Sequence, residues 1–184
     1  MAPSESAAGF VARELATALS PDVRDAATSR ELTPAELGAW RGFLRVHAAL
    51  AKQLDAELAA EHDLPLSSYE VLITLQAAPG RRCRMAELAD RVLLSRSGTT
   101  RLVDRLEREG LLERDSCTDD GRGTYAVLTD AGDELLSRAR PTHLAGVRER
   151  FVRHFAPDEL ATLATWWERV LPGAVGGADL SPSD

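Results

Sequence analysis

The chain has 184 residues, a mass of 19.9 kDa and a formal net charge of -7. That length makes one domain with appendages, and it buries a core without staples. No apolar run reaches the roughly 18 residues of a membrane span, the first ten residues read as no secretory signal, and two cysteines, Cys83 and Cys117, exclude a disulfide scaffold and a four-cysteine zinc site.

The expected compartment is the cytoplasm. Of the 22 basic residues only Lys52 is not an arginine. Arg suits phosphate and base-edge contacts, although such richness also reflects codon usage. The negative total hides an uneven distribution. Residues 81–130 hold ten Arg and ten Asp or Glu, so the deficit lies entirely outside them. A neutral segment can still bind DNA when its arginines share one face.

Residues 1–32 form an extension with at most one short amphipathic helix through Phe10, Leu15 and Leu19. Thr33-Pro34-Ala35-Glu36 reads as a capping box with proline at the first helical position. The helix that follows is expected to reach about Glu61, with a seam of Leu37, Trp40, Leu44, His47, Ala51, Leu54 and Leu58. Phe43, Val46 and Leu50 widen this stripe beyond one face, so the helix should pack on a partner chain as well as its own. Ser67-Ser68-Tyr69-Glu70 reads as a second capping box, opening a helix to about Ala77. A short helix over 85–92, the turn Leu93-Leu94-Ser95-Arg96 and a helix to Glu109 with Gly110 as its stop come next. The period then changes to strands at 111–115 and 124–128, joined by a polar turn over 116–123. Thr129 caps a fifth helix to about Phe155, which Pro141 should kink. Pro157 opens a sixth, and the tail from Pro172 has a disorder-prone composition. The expected fold is mainly α (α+β): a winged helix-turn-helix over 66–130 between long helices at 33–61 and 131–171.

In such a fold the second helix of the pair enters the major groove. At 100° per residue, Thr99, Leu102, Val103 and Leu106 face inward, while Ser97, Arg101, Asp104 and Arg108 face out, flanked by Thr100 and Arg105. The outer N-terminal half is small, hydroxylated and basic, and Arg101 is long enough to reach a guanine edge. In isolation these arginines would suit a solvated face paired with Asp104 and Glu107. The turn before the helix and the hairpin after it shift the balance to DNA. Arg122, between two glycines, suits a narrow minor groove. Asp120 suits a bracing partner for an arginine at the wing base, such as Arg114.

The segments Leu93-Leu94-Ser95-Arg96-Ser97, Arg101-Leu102-Val103-Asp104-Arg105-Leu106-Glu107, Gly110-Leu111-Leu112-Glu113-Arg114, Asp120-Gly121-Arg122 and Leu128-Thr129-Asp130-Ala131-Gly132 resemble the MarR family of transcriptional regulators over about 33–171. The resemblance implies a ligand-responsive repressor that binds palindromic DNA through two winged helices, as a homodimer whose dimerisation helices are those at 33–61 and 131–171, with no cofactor. On the matched positions it implies base reading by Arg101, minor-groove contact by Arg122, bracing by Asp120, and phosphate or base contacts by Ser95, Ser97 and Thr100. The candidate DNA-binding set is completed by Arg96, Thr99 and Arg105. Two departures stand out: Arg84 occupies the cap position of the third helix where a Ser or Thr is usual, and the N-terminal extension is long. The resemblance also implies a small aromatic or phenolic acid as effector. Trp40, His47 and Tyr69 are candidates to line its site, although each suits core or dimer packing.

An enzyme is disfavoured, because His47, His62, His143 and His154 form no zinc-type pair and no nucleophile or phosphate-loop motif occurs. Two alternatives stay open: a thiol sensor using Cys117 or Cys83, disfavoured by the lack of an adjacent His or Lys, and a helical interaction module without DNA binding.

Overall fold

The computed structural model describes residues 31–92, 96–116 and 124–176. Among them one compact unit spans 51–146, and a second combines 31–50 with 147–176.

Helix α1 runs Pro34–His62. Its start follows the sequence expectation: the Glu36 amide donates to Thr33 Oγ1 at 3.3 Å, and the Thr33 amide donates to Glu36 Oε2 at 2.7 Å. It ends where Asp63 turns left-handed at φ 51° and the Leu64 amide reaches back to the Leu58 carbonyl.

Helix α2, Leu66–Ala77, does not use the expected capping box. Pro65 takes the cap position, and the Leu66 amide is satisfied from outside the helix by Asp55 Oδ1 at 2.8 Å. Ser68 is instead buried, its hydroxyl oxygen accepting from Arg105. Proline has no amide to satisfy and fixes φ near the helical value, so the chain can turn into the helix there.

A 3-10 turn, Pro79–Arg81, leads into β1, Arg82–Arg84, a strand too short for periodicity to reveal. Helix α3 spans Met85–Arg91 and α4 spans Arg96–Arg108. Gly110 closes α4 at φ 73°, its amide on Glu107 and the Leu111 amide on Leu106. Both hydrogen bonds require the left-handed residue that glycine adopts without penalty.

Strand β3 (Thr124–Leu128) lies where the sequence placed it, and β2 (Leu112–Ser116) lies one residue later than expected. The antiparallel sheet has the order β1-β3-β2, with Cys83 opposite Ala126 and Arg114 opposite Ala126 from the other side. Thr129 caps α5, Asp130–Arg150, accepting from the Gly132 amide at 3.1 Å while donating to the Gly110 carbonyl at 2.7 Å. Pro141 sits inside this helix, which stops at Arg150 rather than near Phe155; a 3-10 turn, Val152–His154, follows. Helix α6 is Pro157–Val170.

The core belongs to the 51–146 unit. Leu58, Leu72, Leu75, Leu88, Leu106 and Leu136 are fully buried there, and Leu112 and Ala126 close it from the sheet side. In the other unit Phe43 meets Trp167 with ring centroids 5.4 Å apart, yet none of its described residues is buried.

Candidate nucleic-acid interface

Helices α3 and α4 with the β2–β3 pair make the winged helix-turn-helix within a single unit. The faces of α4 follow its sequence pattern. Leu102, Val103 and Leu106 are buried, and Ser97, Thr100, Arg101, Asp104 and Arg108 are exposed. Thr99 is a correction to the candidate contact set: it has no exposed surface and belongs to the inward face. Its side chain fills the core stripe, as the 100° spacing requires.

Asp104 and Glu107 would repel phosphates if left bare. Arg114 on β2 takes both. Its guanidinium donates to Asp104 Oδ1 at 2.6 Å and to a Glu107 carboxylate oxygen, and its backbone amide donates to Glu107 Oε1 at 3.3 Å. Partial burial works against the Arg114 charge, but hydrogen bonding to Asp104 and the neighbouring carboxylates more than offset it and raise its affinity for the proton. Among the described residues Arg114 thus braces α4, and the bracing expected toward Asp120 lies outside them. The alternation of β2 puts Arg114 on the helix side of the sheet, where two carboxylates are within reach. Asp120 itself lies outside the described residues, as do Ser95, Arg122, Cys117 and the side chain of Arg96.

Arg105 is a second correction. Its guanidinium turns back to donate to Ser68 Oγ at 2.5 Å and lies 3.8 Å from Glu109. It therefore ties α4 to α2 instead of extending from the outer face. Arg101 and Arg108 make no ion pair among the described residues, so the carboxylate partners available to them along the helix are spoken for elsewhere.

The sequence reading missed the outer face of the sheet. Arg82 and Arg84 stack on the Tyr125 ring, their guanidinium carbons 4.5 and 5.5 Å from its centroid. The alternation Arg82-Cys83-Arg84 was the available signal, a period of two around a buried cysteine.

The effector candidates fall in different units. Tyr69 is buried in the core, its ring 4.4 Å from that of His143, and desolvation raises its pKa while Arg140 lowers it. Trp40 and His47 are exposed in the other unit, each stacked on Phe43. A cavity of about 390 Å³ opens instead inside the 51–146 unit, lined by His62, Ser68, Arg105, Glu109, Leu111 and Leu135. Cys83 is buried, and desolvation together with the Glu87 charge pushes its thiol up to about 11. A thiol held protonated is a poor nucleophile, which removes the support for a redox role at Cys83.

Among the described residues no cluster of three or more His, Cys, Asp or Glu could hold a metal ion, and no helix is long and apolar enough to cross a membrane. A family model described as MarR family matches residues 62–123. AbsC, a MarR family transcriptional regulator from Streptomyces coelicolor, is 34% identical in a match covering 80% of this chain and 99% of that one, with a TM-score of 0.73. The chain belongs to the MarR family. Sco3205, a MarR family regulator of the same organism solved in complex with DNA, is likewise 34% identical, over 80% of this chain and 92% of that one, with a TM-score of 0.75. YkoM, an uncharacterized HTH-type transcriptional regulator of Bacillus subtilis, is 32% identical over 99 residues, and the match spans 62% of its length. The MarR family is one of transcriptional regulators, not of enzymes.

Proposed function

We propose that this MarR family protein is a sequence-specific DNA-binding repressor that sits on an inverted-repeat operator as a homodimer and leaves it on binding a small acid. The observation that carries the reading is the charge arrangement of α4: Arg114 ties up Asp104 and Glu107, and the exposed face is left to Ser97, Thr100, Arg101 and Arg108. The DNA complex of the similar Sco3205 supports the same reading. Arg101 reads a base edge in the major groove, with Ser95, Arg96, Ser97 and Thr100 against the backbone or neighbouring bases. Arg122 reaches the minor groove. Two such helices related by a two-fold axis place half-sites one turn apart, roughly 34 Å. The dimer is supported by the exposed apolar side chains of α1 and α6, Trp40, Phe43, Leu44, Val46 and Trp166 among them. Such a stripe is more apolar surface than a monomer leaves wet.

For the effector we favour the cavity behind α4. Its volume suits a small aromatic acid, and Arg105 at its wall supplies a cation for a carboxylate. A ligand that draws Arg105 from Ser68 would loosen the α2–α4 tie.

Binding to a randomised operator library at one salt concentration tests the assignment. Arg101→Ala should cost about 1–3 kcal/mol per half-site and flatten discrimination at one base position. Arg108→Ala should leave base preference unchanged. If Arg108→Ala alters the preferred bases while Arg101→Ala keeps them, α4 does not lie in the groove as assigned.

A further inference from the structure

The alternation of β1 directs Cys83 into the core and its two flanking arginines onto the outer face of the sheet. Tyr125 of β3 pairs with Arg84, and Val127 pairs with Arg82. Both guanidinium groups lie over the Tyr125 ring, and Arg84 Nε donates to the Tyr125 hydroxyl at 3.2 Å. A guanidinium already stacked on a ring has less rotamer freedom left to lose on binding an anion.

The same face is polarised. Glu113 and Asp115 of β2 lie on the far side of β3, opposite Val127 and Tyr125. Arg82 makes no ion pair with either or with any other described residue. The ring holds its charge on the β1 side, away from the acids. That edge is also well placed along the chain. Tyr125 is the second residue of β3 after the 117–123 connection, and Arg84 immediately precedes α3, the first helix of the helix-turn-helix.

We propose that Arg82, Arg84 and Tyr125 form a phosphate seat along the β1 edge that takes the backbone of duplex DNA without regard to sequence. The proposal rests on the DNA-binding reading above. The cations attract the strand, the acids of β2 repel it, and the backbone is confined to the β1 side. Phosphates are alike at every base pair, so the seat adds affinity and no base preference.

The test uses the full chain, an operator duplex and a scrambled duplex of equal length, with dissociation constants measured between about 50 and 200 mM salt. Each phosphate contact contributes about 0.9 to the slope of log K against log salt. Arg82→Gln should lower that slope by about 0.9 for each seat lost and weaken both duplexes by the same factor. Arg84→Gln should do the same, which keeps the test decisive if Arg82→Gln does not fold. Arg82→Lys retains the charge and should keep the slope. Lys52→Gln removes one positive charge on α1 and should leave the slope unchanged. An unchanged slope in the folded Gln variants, a loss confined to the operator, or an equal loss in Lys52→Gln would each overturn the seat. An acidic protein as the true occupant of this face would give the first of these. The underlying reading fails separately, if the wild-type chain shows no salt-dependent binding to either duplex.

Discussion

Arg114 spends one guanidinium and one backbone amide on Asp104 and Glu107, three hydrogen bonds between β2 and the candidate recognition helix. Removing it should leave two bare carboxylates near the outer face of α4. Arg114→Ala is expected to weaken operator binding about tenfold, the order of one lost charge-assisted hydrogen bond. Adding Asp104→Asn to that variant should restore part of the loss, because it removes one of the repelling charges. Fluorescence anisotropy reads both, and equal affinity for wild type and Arg114→Ala would disprove the shielding role. At Cys83 the thiol is pushed up to about 11 by burial and by Glu87. In a Cys117→Ser background, Cys83 should resist alkylation at pH 8, with labelling that climbs as pH rises toward that value. Rapid stoichiometric labelling of the native variant at pH 8 would restore a thiol-sensing role. None of these pairings was legible along the chain. By residue type Arg114 suits any neighbouring carboxylate, and only strand alternation and distance bring it to Asp104 and Glu107.

The elements begin and end largely where local chemistry puts them. Thr33 with Glu36, Thr129, Gly110 and Pro157 acted as read. Helix α2 differs because its first amide is satisfied by Asp55 from α1, a contact of long sequence separation. Strand β1 escaped the reading because three residues carry too little period to distinguish strand from loop. Two glycines in α5 test how tightly the elements approach. A Cβ on Gly132 would meet the Leu111 carbonyl oxygen at 2.1 Å, a backbone atom that cannot step aside. A Cβ on Gly146 would meet only the ends of the Glu57 and Leu54 side chains, at 2.6 and 2.7 Å. Gly132→Ala should therefore destabilise by about 1–3 kcal/mol or more. Gly146→Ala should cost much less, since flexible side chains can move and alanine favours the helix by up to about 1 kcal/mol. Urea denaturation midpoints decide this, and equal shifts in the two variants would contradict the close approach at Gly132.

At the scale of the molecule, the 51–146 unit has a filled core, whereas no described residue of 31–50 or 147–176 is buried. Trp40, Phe43, Leu44, Val46, Trp166 and Val170 remain exposed there despite their size. In the proposed dimer a second chain would cover them, and at about 25 cal/mol per Å² that shared interface would be a large part of the unit's stability. Sedimentation equilibrium at micromolar concentration should give about twice the 19.9 kDa chain mass. Leu44→Glu, placing a charge in the stripe, should shift the protein toward monomer and weaken operator binding with it. A wild-type species of single-chain mass only would refute the dimer.

Most helix starts, the switch to a strand period and the outward placement of Arg101 and Arg108 on α4 were determined by the sequence itself, because caps, periodicity and 100° spacing act over a few residues. The fates of Arg105, Arg114, Tyr69 and Arg82 were decided only in the tertiary structure. Each could have faced solvent, DNA or ligand by residue type alone. Arg105 found Ser68, Arg114 found two carboxylates, Tyr69 entered the core beside His143, and Arg82 settled on Tyr125. Long side chains choose partners by distance through space, and that distance does not exist until the helices and the sheet have packed.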